Sequence, residues 1–217
     1  MYKKFISNMI LSLLTISMFI YNSVFSVEAK VVKMEQYTGV EPVVNYESAT
    51  IERPDTTGII FIGDSRTVGM NNTVNIDSVE NQWVVAKVGM GYNWLISDGW
   101  VQAQQIMYDN TQIGNWKIIF NLGVNDLGNI DKYKDFYLEN NDRYDIAVVS
   151  VNPTVDEYNG VQCSDIEKFN EEITEIPDIE YIDTYDELVQ TGYNAPDGLH
   201  YDSKTYNKIY SIIMNEV

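Results

Sequence analysis

Histidine occurs once in the 217 residues, cysteine once, and acids outnumber bases 32 to 14. Each scarcity excludes something. The lone cysteine, Cys163, cannot close an intramolecular disulfide, so the fold must rest on its core. No cysteine follows the apolar stretch at the N-terminus, which excludes a lipid-modified cysteine there. A formal net charge of -18 argues against nucleic acid as a partner, because a phosphate backbone asks for a surplus of Lys and Arg. The acids are scattered rather than run in blocks, the pattern of a solvated surface. With one histidine, His200, any imidazole chemistry has a single source. No cluster of His, Asp and Glu has the spacing of a metal site, and neither a metal nor an organic cofactor is expected.

What is present reads as globular. Hydrophobic residues make up 45% and charged residues 21%, enough apolar material for one well-buried α/β domain. The first thirty residues stand apart. Lys3 and Lys4 precede a stretch free of charge, Phe5 to Val27, with its apolar centre from Met9 to Ile20. A basic region followed by an apolar one predicts a signal peptide over residues 1–29 and export to the cell envelope or beyond. Val24-Phe25-Ser26 and Val27-Glu28-Ala29 offer small or β-branched residues for cleavage. Left uncleaved, the stretch would be an N-terminal anchor, since ~20 apolar residues span a bilayer. That is the only membrane contact the sequence suggests.

Residues 30–57 carry Pro42 and Pro54 with no sustained period, and read as a linker or N-terminal arm. From residue 58 to 217 the pattern is that of one domain. Gly58 to Ile62 is a short apolar run, as in a buried parallel strand. Similar runs are Gln82 to Lys87, Trp116 to Asn121 and Tyr144 to Val151, with a weaker one at Glu180 to Ile182. Helical patterns lie between and after them. Ser164 with Glu167 has the form of a capping box, ahead of Ile166, Phe169 and Ile173 on one face. Asp202 can cap a last helix whose stripe is Tyr206, Ile209, Tyr210 and Ile213. Asn93 to Asp109 reads as helix with Gly99 as its weak point. Strands alternating with helices predict a parallel sheet covered on both faces. Ligands of such sheets bind at the carboxyl ends of the strands, so the loops after Ile62, Lys87, Asn121 and Val151 should carry any chemistry, with the loop before the last helix.

Those loops hold Gly63-Asp64-Ser65-Arg66, Gly89-Met90-Gly91, Gly123-Val124-Asn125-Asp126 and, before the last helix, Asp197-Gly198-Leu199-His200. A serine hydroxyl is a poor nucleophile until a base takes its proton, and imidazole is the side chain suited to that near neutral pH. Asp197 lies three residues before His200, a spacing that lets a carboxylate fix the imidazole's tautomer and orientation. Ser65 sits where a strand gives way to a helix, whose first N–H groups face bound negative charge. Gly91 allows backbone to approach a developing oxyanion, and the Asn125 amide can donate to it. Losing one such donor typically costs about 3–4 kcal/mol of transition-state stabilisation.

The order GDS, glycine, GxND and DxxH resembles the four blocks of the SGNH hydrolases, also called GDSL esterases and lipases, from about Gly58 to the C-terminus. The resemblance implies a flavodoxin-like three-layer α/β/α sandwich around a parallel sheet. It further implies that Ser65 is the nucleophile, His200 the general base and Asp197 its orienting partner. The Ser65 and Gly91 N–H groups and the Asn125 side chain would form the oxyanion hole. Two positions depart from the pattern. Arg66 stands where the family name has leucine, giving a GDSR variant, and Ala86 takes the place of the asparagine that often opens the second block. In that block Gly89 remains an alternative to Gly91.

Around these residues, Arg66, Tyr92 and Trp94 are candidate substrate contacts. Asp64 reads as a structural hydrogen-bonder at the strand end, Cys163 as a structural thiol, and Trp83, Trp100 and Trp116 as core. Asp126 is a rival to Asp197 for His200, although chain order and spacing favour Asp197. The expected function is hydrolysis of a small-molecule or glycan ester through an acyl-serine, with O-acetyl groups on cell-wall or other glycans as first substrates. Alternatives are an acyltransferase using the same triad to load a sugar hydroxyl, a metal-dependent phosphoesterase built on Asp64, Asn125, Asp197 and His200, and an inactive carbohydrate-binding surface domain.

Overall fold

The apolar runs become five parallel strands: β1 (Thr57–Gly63), β2 (Gln82–Ala86), β3 (Asn115–Asn121), β4 (Asp145–Val149) and β5 (Glu180–Ile182). They form one sheet in the order β2-β1-β3-β4-β5, every neighbouring pair parallel. This computed structural model describes residues 54–155 and 158–217, which belong to one compact unit, Ile51–Val217. The expected signal peptide, and the N-terminal arm up to residue 53, lie outside the described residues.

Central strands are buried on both faces, which is why their sequences are apolar without alternation. Ile60, Ile62, Ile118 and Phe120 pack into the core on one face; Phe61 and Ile119 pack into a second core on the other. Helices complete the two outer layers: α1 (Ser65–Val74), α2 (Trp100–Asp109), α3 (Ile130–Asn141), α4 (Cys163–Thr174), α5 (Thr184–Thr191) and α6 (Ser203–Glu216). The arrangement is the parallel sheet covered on both faces that the pattern predicts, and the flavodoxin-like α/β/α sandwich that the resemblance implies.

Local chemistry explains the helix ends. Asp202 caps α6 by accepting from the Thr205 N–H at 2.9 Å, as read from the sequence. The box at α4 is two residues earlier than expected: Gln162 and Asp165 satisfy each other's backbone, so the helix begins at Cys163. Ahead of α2, one α turn (Tyr92–Trp94) runs into a wide π turn (Leu95–Gly99). Gly99 permits this widening because a side chain there would press on the Trp94 ring.

The order of strands sets the position of the site. From β1 the chain crosses to β2 on one side and then returns to β3 on the other. The crevice at that reversal lies above the carboxyl ends of β1 and β3. Register brings the ends level, Gly63 opposite both Ala86 and Asn121. The loops after β1, β2 and β3 therefore leave from one edge.

Candidate active site

Ser65 is the first residue of α1, directly beyond the end of β1. Asp64 makes the turn by capping the helix, its Oδ1 accepting from the Arg66 N–H at 2.9 Å. This carboxyl is almost wholly buried (2% exposed). Burial pushes its pKa up to about 6, against the pull of the Arg66 charge and N–H and of His200. The last loop supplies the other groups. Asp197 folds back on its own turn, Oδ1 accepting from the N–H groups of Leu199 (2.9 Å) and His200 (2.7 Å). Its Oδ2 lies 2.7 Å from His200 Nδ1, and His200 Nε2 lies 2.9 Å from Ser65 Oγ. Bonds from the His200 ring and from backbone N–H groups hold the Asp197 carboxyl down at about 2. An ionised Asp197 requires the Nδ1 proton to point at it, leaving the Nε2 lone pair for the Ser65 hydroxyl. The structure thus brings Ser65, His200 and Asp197, 135 residues apart at the extremes of numbering, into one hydrogen-bonded chain.

Asn125 stands beside them on the loop after β3. Its Nδ2 donates to the Met90 carbonyl at 2.8 Å and lies 3.3 Å from Asp64 Oδ2. The described peptide bonds are all trans, and a trans unit sets its N–H opposite its C=O. With the Met90 carbonyl turned toward Asn125, the N–H of Gly91 faces away from it. The two donors expected to share one oxyanion therefore do not converge in this conformation. What makes position 91 a glycine is clear even so. A Cβ there would fall 2.4 Å from the Asp126 carboxylate. Asp126 accepts from the Tyr92 N–H at 2.7 Å, from Asn129 Nδ2 at 2.9 Å and from the Tyr133 hydroxyl at 2.8 Å. It fastens the second loop to the third and does not touch His200. Gly89 is a glycine for another reason, a φ of +72° in open space.

Comparison with solved structures gives matches across this domain. A lipolytic G-D-S-L family protein from Veillonella parvula superposes with a TM-score of 0.58 at 15% identity, over 74% of this chain and 97% of that one. An acetylxylan esterase from Geobacillus stearothermophilus, a catalytic mutant, gives 0.54 at 13%, over 76% and 95%. The C-terminal catalytic domain of Streptococcus pneumoniae peptidoglycan O-acetyltransferase A gives 0.51 at 16%, over 74% and 92%. This is the SGNH hydrolase fold. No protein-family model matches the sequence, nor does any curated protein. At such identities the likeness to the SGNH structures is one of architecture.

Within the SGNH fold, the remaining expected residues part company. Arg66, read as a candidate substrate contact, is instead buried (3% exposed) with its guanidinium turned into the protein. Trp94 is likewise buried, in the core beside Trp100, because its ring tucks against Gly99. Tyr92 keeps a partly exposed ring, edge-on to Tyr133 at 5.3 Å with Lys132 Nζ 5.8 Å from its centre. Cys163 lies against the Thr154 carbonyl, 3.5 Å away. Trp100 is core, whereas Trp83 and Trp116 are half-buried partners of each other, 5.1 Å apart. A groove of about 570 Å³ opens at Asn125, walled by Leu127, Ile130, Val161, Lys168 and Phe169. Among the described residues, no three His, Cys, Asp or Glu side chains are grouped to hold a metal ion. Sequence reasoning missed the Met90 carbonyl and Tyr201, whose ring lies under Arg66. Neither carries a signal in the sequence, since a backbone carbonyl is common to all residues and Tyr201 reads as one more aromatic.

Proposed function

We propose that this chain is a serine esterase that cleaves carboxylic esters through an acyl-serine intermediate, with Ser65, His200 and Asp197 as its triad. The unbroken chain from Ser65 Oγ through His200 to Asp197 carries the reading. His200 Nε2 takes the hydroxyl proton as Oγ attacks the ester carbonyl, and Asp197 stabilises the imidazolium that forms. The tetrahedral oxyanion meets the Ser65 N–H at the start of α1 and the Asn125 amide, which must first leave the Met90 carbonyl. A turn of the Met90–Gly91 peptide would bring in the Gly91 N–H as well. Collapse breaks the bond to the alcohol, which takes the proton from His200. Water then repeats the sequence on the acyl-serine and releases the acid.

Two features favour water as the acceptor and a sugar as the alcohol. The site is open, the side chains of His200 and Asp197 being 38% and 53% exposed. The groove at Asn125 has room for a leaving group larger than the acyl part. The basic-then-apolar start of the chain supports an exported enzyme. With an acetylxylan esterase and a peptidoglycan O-acetyltransferase sharing the fold, O-acetyl groups on a cell-wall or other glycan are the substrates to try first. The second of these neighbours supports one further reading, in which a sugar hydroxyl replaces water in the second half-reaction.

The test is direct. The chain should release acetate from p-nitrophenyl acetate and from acetylated glycans, and a fluorophosphonate should label it. Ser65→Ala should lose at least about a thousandfold in kcat and escape labelling while unfolding at the wild-type midpoint. Equal labelling of both proteins would remove Ser65 as nucleophile. Acetate appearing on an added sugar rather than in solution would select the transferase reading.

A further inference from the structure

Arg66 follows the proposed nucleophile in the chain, yet its side chain runs under the site rather than into it. Among the described residues it forms no ion pair. Instead Nε donates to the Leu199 carbonyl at 3.1 Å, Nη1 to the Asn152 carbonyl at 2.6 Å and Nη2 to the Pro153 carbonyl at 3.2 Å. The guanidinium carbon lies 5.1 Å from the centre of the Tyr201 ring, and the Tyr201 hydroxyl donates to the same Pro153 carbonyl. A buried charge with no ion-pair contact is costly, so this one must be compensated by the three carbonyl dipoles and the aromatic face, with the neighbouring Asp64 carboxyl adding a longer-range attraction. The partners are informative. Leu199 and Tyr201 are the two chain neighbours of His200, and Arg66 is the chain neighbour of Ser65.

From Ser65 the path runs through Arg66, across one hydrogen bond to Leu199, and on to His200. It closes a short ring on the 2.9 Å contact between Ser65 Oγ and His200 Nε2. The other two hydrogen bonds tie in the loop after β4, on which the His200 turn rests through the Val155 N–H to the Gly198 carbonyl at 2.9 Å. A leucine in place of Arg66 could fill space but could not bond three carbonyls that converge from two loops. We propose that Arg66 is a positioning residue, a strut that holds His200 at proton-transfer distance from Ser65. This rests on the reading of Ser65 and His200 as nucleophile and base.

Arg66→Leu and Arg66→Ala in the full chain test it, with far-UV circular dichroism and urea unfolding to establish that each folds. The expected result is a kcat lower by about 100-fold with KM within about threefold, since a displacement near 1 Å can cost that much. Fluorophosphonate labelling should slow in parallel, because it also needs the activated hydroxyl. Added methylguanidinium should return about tenfold of the lost rate to Arg66→Ala. Folded variants with kcat and labelling rates within about threefold of wild type would overturn the proposal. If neither variant folds, Arg66→Lys decides, because it keeps the charge and loses the fork. A kcat about tenfold lower, with a shifted imidazole N–H proton resonance from the single histidine, supports the strut; wild-type kcat overturns it. Failure of the wild type itself to hydrolyse esters or to be labelled at Ser65 would count against the esterase reading.

Discussion

Asp64 and Asp197 are two carboxyls beside one serine, and their surroundings drive them in opposite directions. Asp197 is exposed and accepts three N–H groups, so its charge is stabilised and its pKa falls to about 2. Asp64 is buried at the end of β1, so its charge is penalised and its pKa rises to about 6. The consequence for stability has a definite sign. Between the ordinary value of 3.8 and about 6, the folded chain keeps a proton on Asp64 that the unfolded chain has released. Stability falls as pH rises through that window, and above it the cost is constant. Asp64→Asn keeps an oxygen for the Arg66 N–H and removes the titration. Urea unfolding of both proteins at pH 4 and pH 7 should show the wild type losing more stability over that interval, on the order of 1–3 kcal/mol relative to the variant. Parallel curves would mean that Asp64 titrates normally in the fold. Asp197 contributes the other way, its stabilisation being present above about 4 and lost as pH falls toward 2.

Among the elements, the segment between β2 and the π turn is where sequence left a choice, between Gly89 and Gly91. The two glycines answer different demands. Gly89 has a left-handed φ with nothing around it, so an alanine costs about 1 kcal/mol of backbone strain and disturbs no neighbour. Gly91 has an ordinary extended φ but abuts the Asp126 carboxylate. An alanine there must push away the group that holds the Tyr92 N–H, and with it the Met90–Gly91 peptide. Gly91→Ala should therefore lose about 1–3 kcal/mol of stability and, by displacing that peptide, at least about tenfold in kcat/KM. Gly89→Ala should stay within about threefold of the wild-type rate. Steady-state kinetics and urea midpoints measure both, and a larger rate loss at Gly89 would reverse the assignment. The strands were the most legible elements, since Ile59–Ile62 and Ile118–Phe120 have no polar face to offer. Two helices went unread. In α3 the buried Tyr133, Phe136 and Tyr137 are helically spaced but lie among Lys132, Lys134 and Asp135. In α5 only Thr184, Tyr185 and Leu188 are buried, too short a stripe to show a period.

For the whole molecule the dominant quantity is charge. At -18 the chain repels itself, and no helix among the described residues is long and apolar enough to cross a membrane. Salt should stabilise it. Raising sodium chloride from ~10 mM to ~300 mM shortens the Debye length from about 30 Å to well under 10 Å, which screens repulsion across the surface. A gain near 1 kcal/mol would lift the melting midpoint by about 2–4 °C for a protein of this size. A midpoint that falls with salt would mean that attractive pairs, such as Lys117 with Asp145 and Glu180, outweigh the repulsion.

The sequence by itself determined the class of fold, because apolar runs of strand length alternating with helical stripes leave few ways to bury both faces of a sheet. It also marked which loops would meet, because parallel strands send their carboxyl ends to one edge. The single histidine left one source for any imidazole. What only the tertiary structure decided was the direction of each side chain. Arg66 and Trp94 look like surface groups when read beside Ser65 and Tyr92, yet both point inward. Asp126 has the chemistry to orient His200, yet its carboxylate faces Tyr92 and Tyr133. Asn125 has the amide for an oxyanion, yet spends it on the Met90 carbonyl. Direction depends on packing against residues distant in the chain, and spacing along the chain does not encode that.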